Sequence, residues 1–338
     1  MSNVALNFLL VVVGFVLLIK GADYLVNGAS SLAKRFNVSD IAIGLTVVAM
    51  GTSAPELVVN IISGSVQDGS SGANEVVFGN IIGSNIFNIF LILGISAIIY
   101  PLTVERNALW KEVPYSQLAT FIFFILVNDA LFFGAEKNSL DTTDGIILLV
   151  MFVLFLVYIF MNLNRNPEAE VEDIEIHGSL KTTIMIALGI VGLVFGGNLI
   201  VENAVTIAKF FHVSDKMIGL TILAAGTSLP ELATSAVAAF HKKSDLAVGN
   251  IVGSNIFNLL LVLGSTSIVH SPLVYTASLN TDLYIVMIGT LMLFLFMFTL
   301  NKYKLDRAEG MVYLIGFIAY SYYLFAREGI LPGLFYKS

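Results

Sequence analysis

Long apolar runs alternate with short polar breaks along the whole chain. Runs long enough to cross a hydrocarbon layer of about 30 Å recur near residues 4–33, 39–65, 76–100, 115–133 and 144–162, then 180–208, 214–240, 246–270, 280–300 and 309–326. The pattern predicts an all-α membrane protein of ten transmembrane helices. The first run, Val4 to Ile19, lacks a basic lead and continues into a glycine-containing amphipathic stretch, so it reads as a retained helix rather than a cleaved leader.

Composition adds to this picture what it excludes. The chain is 57% hydrophobic and 12% charged with a mean hydropathy of +0.88, which no polar-surfaced soluble domain can accommodate. It has no cysteine, so disulfides and sulfur-ligated metals are ruled out, and its net charge of −7 argues against a nucleic-acid partner.

The two halves repeat one another. VSDIAIGLTVVAMGTSAPEL from Val38 returns as VSDKMIGLTILAAGTSLPEL from Val213, with fourteen of twenty positions identical, and GNIIGSNIFNIFLILG from Gly79 returns as GNIVGSNIFNLLLVLG from Gly249, with twelve of sixteen. About one match in twenty is the chance level, so this is an internal duplication. Five crossings per copy is an odd number, so the second copy enters the membrane from the opposite face and the repeats are inverted. Residues 1–163 then form the first five-helix repeat, 164–179 an acidic cytoplasmic linker with Glu168, Glu170, Glu172, Asp173 and Glu175, and 180–338 the second repeat. Orientation follows from the lysines and arginines: with the N-terminus outside, eleven fall in inner loops and five in outer ones. Both termini are expected on the outer side of a cell (inner) membrane.

Charge in the wrong place marks the candidate chemistry. Gly51-Thr52-Ser53-Ala54-Pro55-Glu56 and Gly226-Thr227-Ser228-Leu229-Pro230-Glu231 each set a carboxylate in the middle of an apolar run, at a cost of roughly 2.5–3.5 kcal/mol on insertion scales. A cation is the natural counter-charge. Pro55 and Pro230 lack an N–H and press on the carbonyl four residues back, so each helix should open and leave carbonyls at Ala49, Gly51, Ala224 and Gly226 without helical partners. Thr52 and Glu56 share a face, as do Thr227 and Glu231. Asn80, Ser84 and Asn88 form a polar stripe that Asn250, Ser254 and Asn258 repeat. Hydroxyl, amide and carboxylate oxygens without nearby His or Cys suit Ca²⁺ or Na⁺ and not zinc or copper. The competing structural readings are a capping box from Ser53 to Glu56 and from Ser228 to Glu231, interhelical hydrogen bonding by Asn80 and Asn250, and close packing by Gly79, Gly83, Gly249 and Gly253. The four histidines fall in loops or at helix ends, and Asp129 has no repeat counterpart.

With paired GTSxPE and GSNxFN segments in two five-helix halves, the chain closely resembles the sodium/calcium exchanger branch of the cation/calcium exchanger superfamily, over essentially its whole length. The resemblance implies two long tilted helices, the first and sixth, sliding against an eight-helix core that holds four cation sites. It also implies a ligand set of Thr52, Ser53, Glu56, Ser84 and Asn88 with Thr227, Ser228, Glu231, Ser254 and Asn258, joined by the carbonyls of Ala49 and Ala224. Several relatives carry Asp where this chain has Asn258, which limits the fixed core charge to two glutamates and disfavours K⁺ co-transport. The expected activity is secondary antiport of Na⁺ against Ca²⁺ by alternating access at a shared site, three Na⁺ per Ca²⁺, with Ca²⁺/H⁺ antiport on the same glutamates as the alternative. No enzyme motif, cofactor or obligate protein partner is expected, and the protein reads as a monomer in membrane lipid.

Overall fold

The computed structural model describes residues 2–65, 71–104, 106–162, 176–211, 224–327 and 329. Its helices are α1 (Ser2–Phe36), α2 (Asp40–Thr52), α3 (Ala54–Ser65), α4 (Ser71–Ile86, continuing through Phe87–Ile92 to Leu93–Ile99), α5 (Arg106–Leu126), α6 (Asp129–Phe132) and α7 (Thr142–Met161). The second half supplies α8 (Ser179–Phe210), α9 (Ala224–Gly226), α10 (Leu229–Phe240), α11 (Ser244–Ile256, continuing through Phe257–Val262 to Leu263–His270), α12 (Asn280–Phe296) and α13 (Arg307–Arg327). Among the described residues seven helices are long and apolar enough to cross a membrane, and an eighth span results if the bent pair α2–α3 counts as one. The expected acidic run of the linker lies outside the described residues, as does the first part of the expected seventh helix.

Local sequence explains where the helices begin and bend. Ser39 caps α2 by accepting the Ala42 N–H, and Asp141 and Asp144 form a reciprocal capping box at the start of α7. The α2–α3 pair bends by 43° at Ser53. Pro55 sits in the first turn of α3, where its missing N–H is no loss, while a continuous helix would drive its ring into the Gly51 carbonyl. One expected boundary moves. The fourth helix, read from the sequence as 115–133, runs Arg106–Leu126 through Pro114 and ends before the separate turn Asp129–Phe132. Its polar start is held by α7, whose Tyr158 hydroxyl donates to Glu112 (3.1 Å) and whose Tyr158 ring lies under Lys111. Asp129, left without a role, accepts the backbone N–H and the hydroxyl of Ser139 and so pins the following turn.

The most enclosed spans, α4 and α11, lie at the centre, and Ile86, Ile92, Leu93, Ile256, Val262 and Leu263 are fully or almost fully buried. Exposed Leu154, Phe160, Leu188 and Phe195 face outward from α7 and α8, as lipid-facing apolar side chains do. Two short antiparallel ladders join the halves: Leu102–Thr103 with Lys304–Leu305, and Ser139–Leu140 with Leu273–Val274.

Against this core, α1 and α8 pack along one another through glycine. A Cβ on Gly21 would lie 2.7 Å from the Leu193 nitrogen and 2.8 Å from the Gly189 carbonyl, and one on Gly196 would lie 2.7 Å from the Leu18 nitrogen. Small residues let two backbones meet where lipid supplies no hydrophobic drive. The α8 helix also crosses both breaks, with Ile190 against Gly51 and Val201 against Gly226. Gly249 and Gly253 are the expected close-packing surface, meeting Gly44, Leu45 and Ala49, but the same expectation for Gly79 and Gly83 is corrected, since a Cβ at either would meet no described atom within 4 Å.

Candidate cation-binding site

The helix breaks at Ser53 and Ser228 set two helix N-termini, those of α3 and α10, deep in the molecule, each with its glutamate in the first turn. Glu56 and Glu231 are both 1% exposed. Neither oxygen of Glu56 has a hydrogen-bond partner, and Oε2 of Glu231 has none. The two carboxylates lie near enough to act on each other electrostatically. Glu56 has Thr227 and Ser84 as polar neighbours, and Glu231 has Ser53, Thr52 and Ser254. Each acid thus faces a threonine from the opposite half and a serine of its own half's polar stripe.

Around them the neutral groups are wired across the two halves. Thr52 donates to Asn250 Oδ1 (3.2 Å), and its counterpart Thr227 donates to Asn80 Oδ1 (3.4 Å). Behind them, Asn80 Nδ2 donates to Asn60 (2.8 Å) and Asn250 Nδ2 to Ser235 (2.9 Å), so Asn80 and Asn250 make the interhelical bonds weighed from the sequence. Ser53 donates to Glu231 Oε1 (3.1 Å), and Ser228 donates to Ser84 (3.0 Å). Asn88 Nδ2 donates to Asn255 Oδ1 and Asn258 Nδ2 to Asn85 Oδ1, both at 3.0 Å, which leaves Oδ1 of Asn88 and of Asn258 buried without partners. Both Asn88 and Asn258 sit at the start of π-helical stretches, Phe87–Ile92 and Phe257–Val262, a local widening often found at functional sites.

Two expectations need correction. The Ala49 carbonyl was expected to lack a helical partner, yet it accepts the Ser53 N–H at 2.9 Å, because the chain completes the last turn of α2 before it bends. Its second lone pair lies within reach of the Thr52 hydroxyl (3.3 Å), whose one proton is shared between this carbonyl and Asn250 Oδ1. The capping box is absent at Ser228, whose side chain makes no cap bond, and Ser53 likewise directs its hydroxyl to Glu231 of the other half. At the second break the Ser228 N–H bonds the Ala225 carbonyl (3.2 Å).

Some residues of the site went unremarked in the sequence. Asn60, Ser235, Asn85 and Asn255 are all buried and all hold other site residues. For the last two a signal existed, since they recur at the same place in the duplicated GSNxFN segment. The histidines fall away from the centre: His241 pairs with Asp23 on α1 (2.8 Å), His270 reaches the Ile61 carbonyl, and His177 lies beside Lys181. His212 lies outside the described residues. Among the described residues no group of three or more His, Cys, Asp or Glu is placed to hold a metal ion, and the charged side chains of the centre are two carboxylates among neutral oxygens.

What this constellation can do is hold a hard cation, and relatives with the same architecture are known. The family model for the sodium/calcium exchanger protein matches residues 6–161 and 181–326. The chain is 40% identical over 326 residues to a putative antiporter, CaxA, of Alkalimonas amylolytica, covering 94% of this chain and 98% of that one. It is 31% identical over 358 residues to the sodium/calcium exchanger MaX1 of Methanosarcina acetivorans, covering 95% and 99%. A solved structure of the sodium-calcium exchanger NCX_Mj superposes with a TM-score of 0.79 at 31% identity, covering 94% of this chain and 97% of that one. The chain is an integral, all-helical membrane protein that belongs to the sodium/calcium exchanger family.

Proposed function

We propose that the protein is a secondary antiporter that exchanges Na⁺ for Ca²⁺ at one central site. The observation that carries the reading is Glu56, a fully enclosed carboxylate with neither oxygen hydrogen-bonded, set beside a second enclosed carboxylate. Two such charges in a low-dielectric interior are costly unless something positive joins them. Thr52, Ser53, Glu56, Ser84 and Asn88 with Thr227, Ser228, Glu231, Ser254 and Asn258 are the ligands, with the backbone carbonyls of Ala49 and Ala224. The family's printed name, and that of MaX1, support Na⁺ and Ca²⁺ as the cargo.

Mutual exclusion follows from charge. One Ca²⁺ offsets the negative charge of the two glutamates, and so do Na⁺ ions, but the site does not hold both sets together. A core that changes sides only when that negative charge is offset then couples the two fluxes. With three Na⁺ per Ca²⁺ each cycle moves one net charge, so the membrane potential drives it. The contacts that recur with the halves exchanged support two repeats, residues 1–163 and 180–338; five crossings in each make them inverted, ten crossings in all, and the lysine and arginine count puts the linker at 164–179 on the cytoplasmic side and both termini outside.

Ca²⁺/H⁺ antiport on the same glutamates is the rival. The threonine and serine hydroxyls beside each carboxylate favour Na⁺, which needs oxygen ligands, over H⁺, which needs only the carboxylate. The test is radioactive Ca²⁺ uptake by proteoliposomes under Na⁺, K⁺ and pH gradients imposed one at a time. A Na⁺ gradient should drive uptake and a pH gradient should not; uptake driven by pH alone overturns the Na⁺ assignment.

A further inference from the structure

Asn85 and Asn255 stand outside the ligand set, yet both are enclosed, at 0% and 2% exposure, and both are duplicated. Each accepts the amide N–H of the other half's ligand asparagine: Asn255 Oδ1 from Asn88 and Asn85 Oδ1 from Asn258, at 3.0 Å in both cases. Asn85 is itself tethered through Nδ2 to the Asn255 backbone carbonyl (3.4 Å). The atoms left over are Oδ1 of Asn88 and Oδ1 of Asn258, buried and unpartnered.

We propose that Asn85 and Asn255 are positioning residues that fix which face of the Asn88 and Asn258 carboxamides a cation meets. This rests on the exchanger reading above. A carboxamide is two-faced: half a turn about its last bond swaps an acceptor oxygen for a donor NH₂ of nearly the same shape. A cation is bound by the oxygen and repelled by the NH₂. Asn88 lies one turn from Ser84, the neighbour of Glu56, and Asn258 one turn from Ser254, the neighbour of Glu231. In the ion-free protein the glutamate oxygens without partners would draw an NH₂ toward the centre. The acceptors on Asn85 and Asn255 hold the NH₂ away from it. A flip would set two carbonyl oxygens against each other and lose the crossed bond. The amide of each half is therefore kept in its binding-competent orientation by the other half, and the ion does not have to turn it.

The experiment reads half-saturating Ca²⁺ and maximal rate of Na⁺-driven uptake for Asn85→Leu, alone and in an Asn258→Asp background. Leucine removes the acceptor, so the amide of Asn258 turns inward and half-saturating Ca²⁺ rises about tenfold, with the maximal rate held within about twofold. A carboxylate at 258 presents an oxygen whichever way it turns, so in that background Asn85→Leu should change half-saturation by less than about twofold. An unchanged half-saturation in the single variant, or an equal rise in both backgrounds, overturns the proposal, the second outcome because it marks mere packing. Asn85→Ala stands in with the same criteria if the leucine variant does not elute as folded protein. A wild-type protein without Ca²⁺ flux under any gradient removes the exchanger reading and this one with it; flux in the wild type with indifferent variants removes only this one.

Discussion

The two copies of the Gly-Thr-Ser-x-Pro-Glu segment break their helices at equivalent serines and then distribute their hydrogen bonds differently. In the first, the Ser53 N–H reaches back four residues to Ala49 and the Ser53 hydroxyl crosses to the carboxylate of Glu231. In the second, the Ser228 N–H reaches back three residues to Ala225 and the hydroxyl goes to Ser84, a neutral neighbour of Glu56. Glu231 thus has one oxygen satisfied by protein, and Glu56 has none. A duplicated motif fixes which side chains reach the centre, but the packing around each copy decides how much of each carboxylate is left for a guest.

The largest effects should come from the carboxylates themselves. Glu56→Gln and Glu231→Gln should each lower Ca²⁺ uptake by about a hundredfold or more, because the remaining single charge no longer balances a divalent ion. Their stabilities separate the copies. In ion-free buffer Glu56→Gln should raise the melting temperature more than Glu231→Gln, since it relieves the carboxylate with no partner; the reverse order breaks the comparison. A substitution outside both copies comes next, at the packing of α1 on the stretch of α8 that covers Gly51. Gly21→Val forces side-chain atoms into the Leu193 and Gly189 backbone, an overpacking worth about 1–3 kcal/mol, and should cut transport about tenfold with a lowered melting temperature. Next come the serines. Ser53→Ala removes a donor to a charged group, worth about 1.5–3 kcal/mol, and should raise half-saturating Ca²⁺ about tenfold, whereas Ser228→Ala removes a neutral bond and should raise it about threefold. Equal shifts in flux assays would erase the asymmetry. Smallest is His241→Gln, which loses a half-exposed pairing with Asp23 worth under about 1 kcal/mol, and uptake should stay within about twofold of wild type.

The parts of the site that were legible in the sequence are those that violate the apolar pattern. Glu56 and Glu231 stand out because charge in a membrane helix is expensive, and the stripes Asn80-Ser84-Asn88 and Asn250-Ser254-Asn258 because polarity repeats at helical spacing. What escaped depends on chain segments meeting in space. Asn85 and Asn255 lie in plain view within the duplicated segment, but their partners come from the opposite half, and no spacing along one helix reveals that. The π-helical stretches after Phe87 and Phe257 leave the composition of the helix unchanged, so periodicity passes over them. The start of α5 was missed because Lys111 and Glu112 interrupt the apolar run, and Tyr158 of α7, which takes up both, lies far away along the chain. The close approach of α1 and α8 at Gly14, Gly21, Gly189 and Gly196 also escaped, because the backbone each glycine meets belongs to the other half.

The exchanged bonds also bear on what one half would be without the other. Thr52 has its acceptor in Asn250, Asn88 in Asn255, and the strand Leu102–Thr103 in Lys304–Leu305. Either half expressed alone would carry one side of each pairing and a chamber with one wall missing, and a partner would have to supply by association what the intact chain supplies by covalent linkage.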